Sequence, residues 1–557
     1  MTSTQHTPVL IAGGGPVGLC AALFLEYHGV PFILVEKRTA ASALPRSRGL
    51  HVRTVELFRQ LGIETKVQQV AAGVLKAGHF GGASRGATLS TAERLDLTAF
   101  VRGLAQHDPS PSSFCFLPQA ELEPLLAELA RTRGGDLRFG VELVDVAADD
   151  DGVTATLRDR DAGTTIVRAD YLIAADGGGS PIRRRLGITG WTLPPTHHYI
   201  NTFVRTDLTD VLHGRTFSQC EIVNDAVRCL VLTKNNTDEW SFHLEYDPAQ
   251  ASSSDYTGQR CVELVRAAIG VADIDVELLG RTAWDTGVFV ADEYRRGRVF
   301  LAGDAAHRHA PWGGYGANTG IADVHNLTWK LATVLSGTAG PDLLDSYQAE
   351  RRPRALVAAE QARLGTDFDT RYAVPTPDNA ADLARQLSTD AVMTRFRYCS
   401  AALFGGAPGE AHVDRLTGQV GTRVPHQWID RAQQISTLDL NGPGFALIVM
   451  GTSAAWRDAV WAAQWDTGID ITVHAIPTVE WAACTGLPEG GALLVRPDGI
   501  VAGRSDAGLH PESLAAVLRR IVGIPAGVEN SYGTADADDA RTTADGPVAH
   551  HRTVANS

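Results

Sequence analysis

The chain has 557 residues, of which 44% are hydrophobic and 20% charged, enough for roughly two to four compact units with a sizeable core. Its formal net charge of −14 argues against nucleic acid or an anionic membrane surface as a partner, and no apolar run approaches the roughly 18 residues that span a bilayer. Seven cysteines (Cys20, Cys115, Cys220, Cys229, Cys261, Cys399, Cys484) fit neither a disulfide framework nor a zinc site, because the count is odd and no Cys-x-x-Cys pair occurs. No metal is therefore expected, and reduced thiols in a cytoplasmic protein are.

In chain order, Met1-Thr2-Ser3-Thr4-Gln5-His6 has no basic stretch, so a secretory signal is not expected. Val9-Leu10-Ile11-Ala12 reads as a buried strand, Pro16 to Tyr27 as a helix, and Phe32-Ile33-Leu34-Val35 as a second strand, completing a β-α-β unit. Tyr171 to Ala175 and Val299 to Ala302 are two more such strands, each running into a Gly/Asp loop. Loops of this kind, at the C-terminal ends of parallel strands, are where doubly wound sheets bind ligands. Between them, from about Gly190 to Trp284, short alternating stretches predict an inserted antiparallel sheet. In it Phe203, Trp240, Phe242 and Leu244 alternate as a pocket face or a core face would. Helices are predicted from Asn318 to Leu335 and from Leu343 to about Gly365, followed by a mostly helical connector. After Val420 a new α/β pattern begins, with strands at 445–449 and 469–473, a hairpin over 492–499 and a helix over 511–522. The last residues, rich in Ala, Asp, Thr and Gly, read as a disordered tail.

Gly13-Gly14-Gly15-Pro16-Val17-Gly18 satisfies G-x-G-x-x-G between the first strand and the helix. Gly13 permits the tight turn, Gly15 allows a pyrophosphate close to the backbone, and Gly18 lets helix and strand pack. The helix start at Pro16 favours phosphate charge. Glu36, about twenty residues on, stands where a carboxylate takes the hydroxyls of an adenosine ribose. This unit binds a dinucleotide; by itself it leaves FAD and NAD equally open.

Ala175-Asp176-Gly177-Gly178-Gly179-Ser180-Pro181-Ile182-Arg183, then Gly303-Asp304-Ala305-Ala306-His307, then Pro311-Trp312-Gly313-Gly314-Tyr315-Gly316-Ala317-Asn318 follow in that order. In these motifs the sequence resembles the single-component FAD-dependent aromatic hydroxylases related to para-hydroxybenzoate hydroxylase and phenol hydroxylase, and among them the aromatic polyketide hydroxylases. The resemblance implies an α/β fold: a Rossmann-like, glutathione-reductase-like FAD-binding domain (1–189 with 285–365), an inserted antiparallel-sheet substrate domain (190–284), a helical connector (366–419) and a C-terminal thioredoxin-like domain (420–527), with 528–557 as the tail. The last domain lacks Cys-x-x-Cys, which excludes thiol–disulfide chemistry.

The same resemblance assigns cofactor contacts residue by residue. Gly13, Gly15, Pro16, Gly18, Glu36 and Lys37 belong to the first motif. Asp176 serves the pyrophosphate and the visiting nicotinamide, and Asp304 the ribityl chain. Pro311, Gly314, Gly316, Ala317 and Asn318 form the loop over the isoalloxazine. Arg46, Arg48 and Gln119 flank the cofactor. His309 stands near the place where relatives often carry a first proline, and with Trp312 it joins Phe203, Trp240 and Phe242 as a candidate for the substrate pocket. The stretches around Asp323 and Arg351 are read as helix packing.

Only one complete nucleotide fingerprint is present, so no dedicated NAD(P)H domain is expected. The implied reaction is hydroxylation of a polycyclic aromatic polyketide through a C4a-hydroperoxyflavin, with NADPH or NADH as a transient reductant and dioxygen as cosubstrate. The chemistry belongs to the cofactor, and the protein orients the substrate and excludes water. No catalytic base is assigned. Baeyer–Villiger or ring-rearranging oxygenation, hydroxylation of a simple phenol, and flavin dehydrogenation without oxygen transfer stay open, as do monomer and homodimer.

Overall fold

The computed structural model describes residues 5–40, 47–74, 82–97, 110–160, 163–406 and 411–524; Arg46 and the segment 528–557 lie outside them. The strand Gln5–Ala12 pairs in parallel with Phe32–Glu36 on one side and Gly163–Ala174 on the other, and Gly163–Ala174 pairs in turn with Val299–Leu301. Val9, Leu10 and Ile11 have no exposed surface, as expected of a parallel strand covered on both faces. The register puts Ala12, Ala174 and Leu301 abreast. The loops that begin at Gly13, Asp176 and Gly303 therefore emerge side by side at one edge of the sheet. Ala12 also faces Val35, which brings Glu36 to the same edge.

The strand Gly163–Ala174 is longer than its buried sequence signal. Residues 163–166 extend beyond the pairing with Gln5–Ala12, and residues 163–169 pair antiparallel with Val153–Asp159; the first three are exposed.

A second sheet runs in the order Glu277–Asp285, His198–Arg205, Glu239–Tyr246, Arg228–Thr233, Gln219–Val223, Ala83–Gly86, Glu93–Arg94. Its last two strands come from outside the expected 190–284 span. They are too short to show an alternation of their own, so only the pairing reveals them. Successive side chains of a strand point to opposite faces, and this decides the fate of the aromatic candidates. Ile200, Val204, Trp240, Phe242 and Leu244 share one core with the helix Gly258–Ile269. Trp240 and Phe242 have no exposed surface, which corrects their assignment to the pocket: they lie behind the sheet. Phe203 has the opposite parity, yet it too is buried, beside Lys234, and does not line the cleft described below.

The connector is less helical than its sequence suggests. Among the described residues its helices are the short Phe368–Arg371, Ala380–Leu383 and Thr389–Met393. Beyond it, a four-stranded sheet runs in the order Ile471–Ile476, Phe445–Met450, Ala492–Val495, Val501–Arg504, the last two strands forming the expected hairpin. The helices Ala454–Thr467 and Leu514–Ile521 pack together beside it.

This C-terminal unit is joined to the rest through a buried polar cluster. Glu350 Oε1 accepts from Arg496 Nη1 and Ser400 Oγ, each at 2.6 Å. Its Oε2 accepts from Asn326 Nδ2 at 2.7 Å and from Lys330 Nζ and Arg496 Nη2, each at 2.9 Å. Arg496 also grips Asp498 with two nitrogens. Burial opposes ionisation of Glu350, but Arg496 and Lys330 outweigh it and hold the carboxyl well below its ordinary range. Truncating one partner of such a cluster strands the others without water. Glu350→Ala is expected to lower the unfolding free energy by about 3–5 kcal/mol, read as a lower urea midpoint.

Candidate active site

A cleft of about 750 Å³ opens where the three strand ends converge, and the second sheet forms its far wall. Gly13, Gly15, Pro16, Glu36 and Lys37 line one side, and Asp176 and Asp304 the adjoining one. Gly13 has φ +113°, and a Cβ there would stand 2.2 Å from the Ala175 carbonyl oxygen, so no other residue fits. Gly18 is not on the wall. A Cβ at that position would collide with the Gly13 carbonyl at 1.9 Å, so its role is the close packing of helix on turn. At Gly15 the nearest atom to an added Cβ is 4.0 Å away, which leaves open space in front of the helix Pro16–Tyr27.

Glu36 Oε2 accepts the Gly14 N–H at 2.7 Å, and Oε1 accepts the Arg38 N–H and Nε–H, each at 2.9 Å. Burial raises its carboxyl, but these hydrogen bonds prevail and hold it below the ordinary value. It is therefore an ionised acceptor at neutral pH. Asp176 differs. Oδ2 accepts the Ile182 N–H at 3.2 Å, while Oδ1 is buried with no hydrogen-bond partner in the protein. Burial, only partly offset by Ser180 and Ile182, raises its carboxyl. A buried acceptor without a donor costs free energy, and at a cleft wall it is provision for a ligand.

Asp304 lies exposed on the turn Gly303–Ala305. Behind that turn, Asp323 Oδ2 accepts the Gly303 N–H at 3.1 Å and contacts His307 Nε2 at 2.6 Å, and Oδ1 accepts from Arg351 Nε at 2.8 Å. The stretches read as helix packing around Asp323 and Arg351 thus hold the Asp304 loop from within. Arg183, which no motif reading singled out, stitches the loops together. Its Nη1 donates to the Ala305 carbonyl at 2.7 Å and its Nη2 to the Gly178 carbonyl at 3.0 Å.

Pro311, Gly314, Gly316 and Ala317 line the floor, with His309 and Trp312 beside them. Gly313 and Gly314 have φ +76° and +68°. This left-handed break ends in a helix start at Tyr315, three residues ahead of the start read from sequence. Asn318 consequently falls inside the first turn and off the wall, a correction to its assigned contact. It is fully buried. Its Oδ1 accepts from His51 N and Thr54 Oγ, and its Nδ2 donates to the carbonyls of Gly49 and Gly314. With its four hydrogen bonds taken it is a clamp on the loop.

Gln119 and Arg48 also line the cleft. Gln119 Nε2 donates to Glu123 at 2.6 Å. Arg48 reaches the second sheet, donating from Nη1 to the carbonyls of Thr233 at 2.6 Å and Ser218 at 3.3 Å. Trp312 is buried under the Arg371 guanidinium, 3.8 Å from its ring centroid. It meets Trp284 edge-on at 5.9 Å, and Trp284 stacks on Tyr199 at 4.6 Å. Tyr199, Trp284, Arg371 and the cleft-lining His243 were missed by sequence reading. Tyr199 was within reach, since it shares the strand parity of Phe203, opposite to that of the core residues.

The glycine turn at Gly13, the helix starts at Pro16 and Tyr315, and the acceptors Glu36 and Asp176 all border one cleft that reaches Trp312, the arrangement of a dinucleotide-binding protein. Comparison with known proteins agrees. Residues 6–362 match the FAD binding domain family and residues 417–525 the C-terminal domain of aromatic-ring hydroxylases. The chain is 38% identical to tetracenomycin B2 monooxygenase-dioxygenase of Streptomyces olivaceus, over 92% of this chain and 98% of that one. It is 34% identical to 4-methyl-5-nitrocatechol 5-monooxygenase of a Burkholderia species, over 93% and 98%. The crystal structure of aklavinone-11 hydroxylase with FAD and aklavinone matches with a TM-score of 0.84 at 32% identity, covering 94% of this chain and 100% of that one. The chain belongs to the FAD-dependent aromatic-ring hydroxylases, and it is a monooxygenase of that family. Among the described residues no group of His, Cys, Asp and Glu could hold a metal ion, and no helix is long and apolar enough to cross a membrane.

Gly13→Ala should abolish flavin retention, because the Cβ displaces the Asp176 loop. The check is the 450 nm to 280 nm absorbance ratio of the purified protein, expected to fall to that of apoprotein.

Proposed function

We propose that the enzyme hydroxylates a polycyclic aromatic polyketide, using NADPH or NADH as reductant and dioxygen as cosubstrate. The observation that carries this reading is the continuity of one cleft from the glycine turn at Gly13 to the recess beside Trp312. The likeness to a hydroxylase solved with FAD and aklavinone supports it.

In this reading Gly13, Gly15 and the helix start at Pro16 hold the FAD pyrophosphate, with Asp176 on the adjoining wall; the resemblance adds Arg46, outside the described residues, to the same group. Glu36 and Lys37 take the adenosine end and Asp304 the ribityl chain. Pro311, Gly314, Gly316 and Ala317 lie along the isoalloxazine, flanked by Gln119 and Arg48. Bound FAD, once reduced, supplies the activation of dioxygen and the transfer of one oxygen atom to the ring. The protein's share is to orient the substrate and keep water out. Trp312 lines the cleft and offers flat apolar surface against which fused rings stack, while Trp284 and Tyr199 pack against it and Arg371 covers its ring. The architecture is read as a glutathione-reductase-like FAD domain (1–189 with 285–365), an inserted substrate sheet, and a C-terminal thioredoxin-like domain (420–527) without redox chemistry.

A simple phenol is the second reading, favoured by the likeness to the nitrocatechol monooxygenase. Turnover of a panel of polyketide intermediates and simple phenols under labelled dioxygen separates them. The expected product is a polycyclic phenol carrying one labelled oxygen. Label in a lactone would identify oxygen insertion instead, and NAD(P)H consumption without label would refute monooxygenation.

Asp304→Ala removes a charge-assisted hydrogen bond of about 1.5–3 kcal/mol, so the Kd for FAD should rise roughly ten- to hundredfold. Titration of apoprotein with FAD measures it; an unchanged Kd would refute the ribityl assignment.

A further inference from the structure

The carboxylates of the cleft are confined to one half of it. Its carboxylates, among the described residues, are Glu36, Glu123, Glu142, Asp176 and Asp304, all carried by segments of the parallel-sheet unit. The wall formed by the second sheet consists of Ser218, Gln219, Leu232 and His243, with Arg48 reaching across to it. That wall has no acidic group.

His243 sits on the strand Glu239–Tyr246, between Asn201 and Leu230 of its neighbours. Trp284 Nε1–H donates to its Nδ1 at 3.0 Å, with the two rings edge to face. An indole N–H is only a donor, so Nδ1 is the acceptor and the ring proton resides on Nε2. Burial first, then the Arg48 and Arg371 guanidinium charges, push the imidazole down to about 3, which keeps it neutral. Its Nε2–H finds no acceptor among the described residues, nor is that nitrogen sealed in the interior, and His243 is part of the cleft wall. A histidine serving only the core would have both ring nitrogens paired within the protein. Here one nitrogen is locked by the protein and the other offered to the cleft.

We propose that His243 Nε2–H docks a carbonyl oxygen of the aromatic substrate, and that Trp284 is the positioning residue that fixes its tautomer. The inference rests on the polycyclic-substrate reading above and adds the recognition group: an oxygen acceptor, such as a quinone carbonyl, on the edge that faces the second sheet. Arg48 adds positive charge on the same side. A neutral imidazole whose Nδ1 is occupied acts here as a donor and not as a base. The site therefore selects substrates by the acceptor they present.

The test is equilibrium binding to the oxidised, FAD-loaded enzyme, followed by flavin absorbance. The two probes are 2-hydroxyanthraquinone and 2-hydroxyanthracene, which shares the ring system but lacks the quinone oxygens. Wild-type enzyme should prefer the quinone. His243→Leu should weaken quinone binding about tenfold and hydroxyanthracene binding by less than about twofold, the signature of one lost hydrogen bond. His243→Gln, which keeps an N–H at similar reach, should recover most of the preference. Trp284→Phe frees the ring to flip and should also reduce the preference; it carries the test if His243→Leu does not retain flavin. Equal losses on both probes, or unchanged quinone binding in His243→Leu, would overturn the inference and leave the substrate reading intact. Wild-type enzyme that binds neither probe and oxidises no polycyclic substrate would overturn both.

Discussion

Asp323, with no exposed surface in the middle of the helix Tyr315–Leu335, is the interaction on which the cleft depends. One carboxylate holds the Gly303 N–H, His307 and Arg351 together. Burial alone would neutralise it, yet His307 and Arg351 keep its carboxyl below the ordinary value. A group in that position cannot be moved without leaving partners unsatisfied in a dry interior. The loop bearing Asp304 is thereby fixed to the same helix whose first turn forms the cleft floor. Further along, Asn326 and Lys330 reach Glu350. The helix buries polar groups among its apolar ones, and Asp323 on the one hand and Asn326 with Lys330 on the other secure different parts of the chain.

That arrangement gives the C-terminal unit a physical role without chemistry of its own. It has no cysteine pair, but its Arg496 and Asp498 complete the cluster around Glu350, and Arg53 donates to the Asp498 carbonyl at 3.1 Å. The helix Val52–Gln60 that carries Arg53 also carries Thr54, which meets Asn318 beneath the flavin loop. Buried charge of this kind adds little net stability but penalises every arrangement that leaves one partner alone. The unit thus braces, from behind, the helices whose ends form the site.

The dinucleotide half of the site was legible because its requirements are local. A tight turn with positive φ demands Gly13, a close helix crossing demands Gly18, and an acid twenty residues on demands only a strand of known length. The acceptor positions Glu36, Asp176 and Asp304 follow from strand ends that the apolar runs mark. The substrate half was not legible in the same way. Alternation showed that Trp240 and Phe242 share a face, but not which face the helix Gly258–Ile269 would cover. Two short strands, Ala83–Gly86 and Glu93–Arg94, carried no signal of their own and joined the sheet from a distant segment.

By itself, then, the sequence determined the nucleotide unit, the order of its loops and the family to which they belong, since each rests on backbone constraints spanning a few residues. Only the tertiary structure decided that Asn318 is a clamp rather than a contact, because a left-handed pair at Gly313 and Gly314 starts the helix early. Only the tertiary structure turned Tyr199, Trp284 and His243 toward the flavin unit and buried their neighbours. A strand has two equivalent faces until something packs on one of them, and what packs here is remote in the chain.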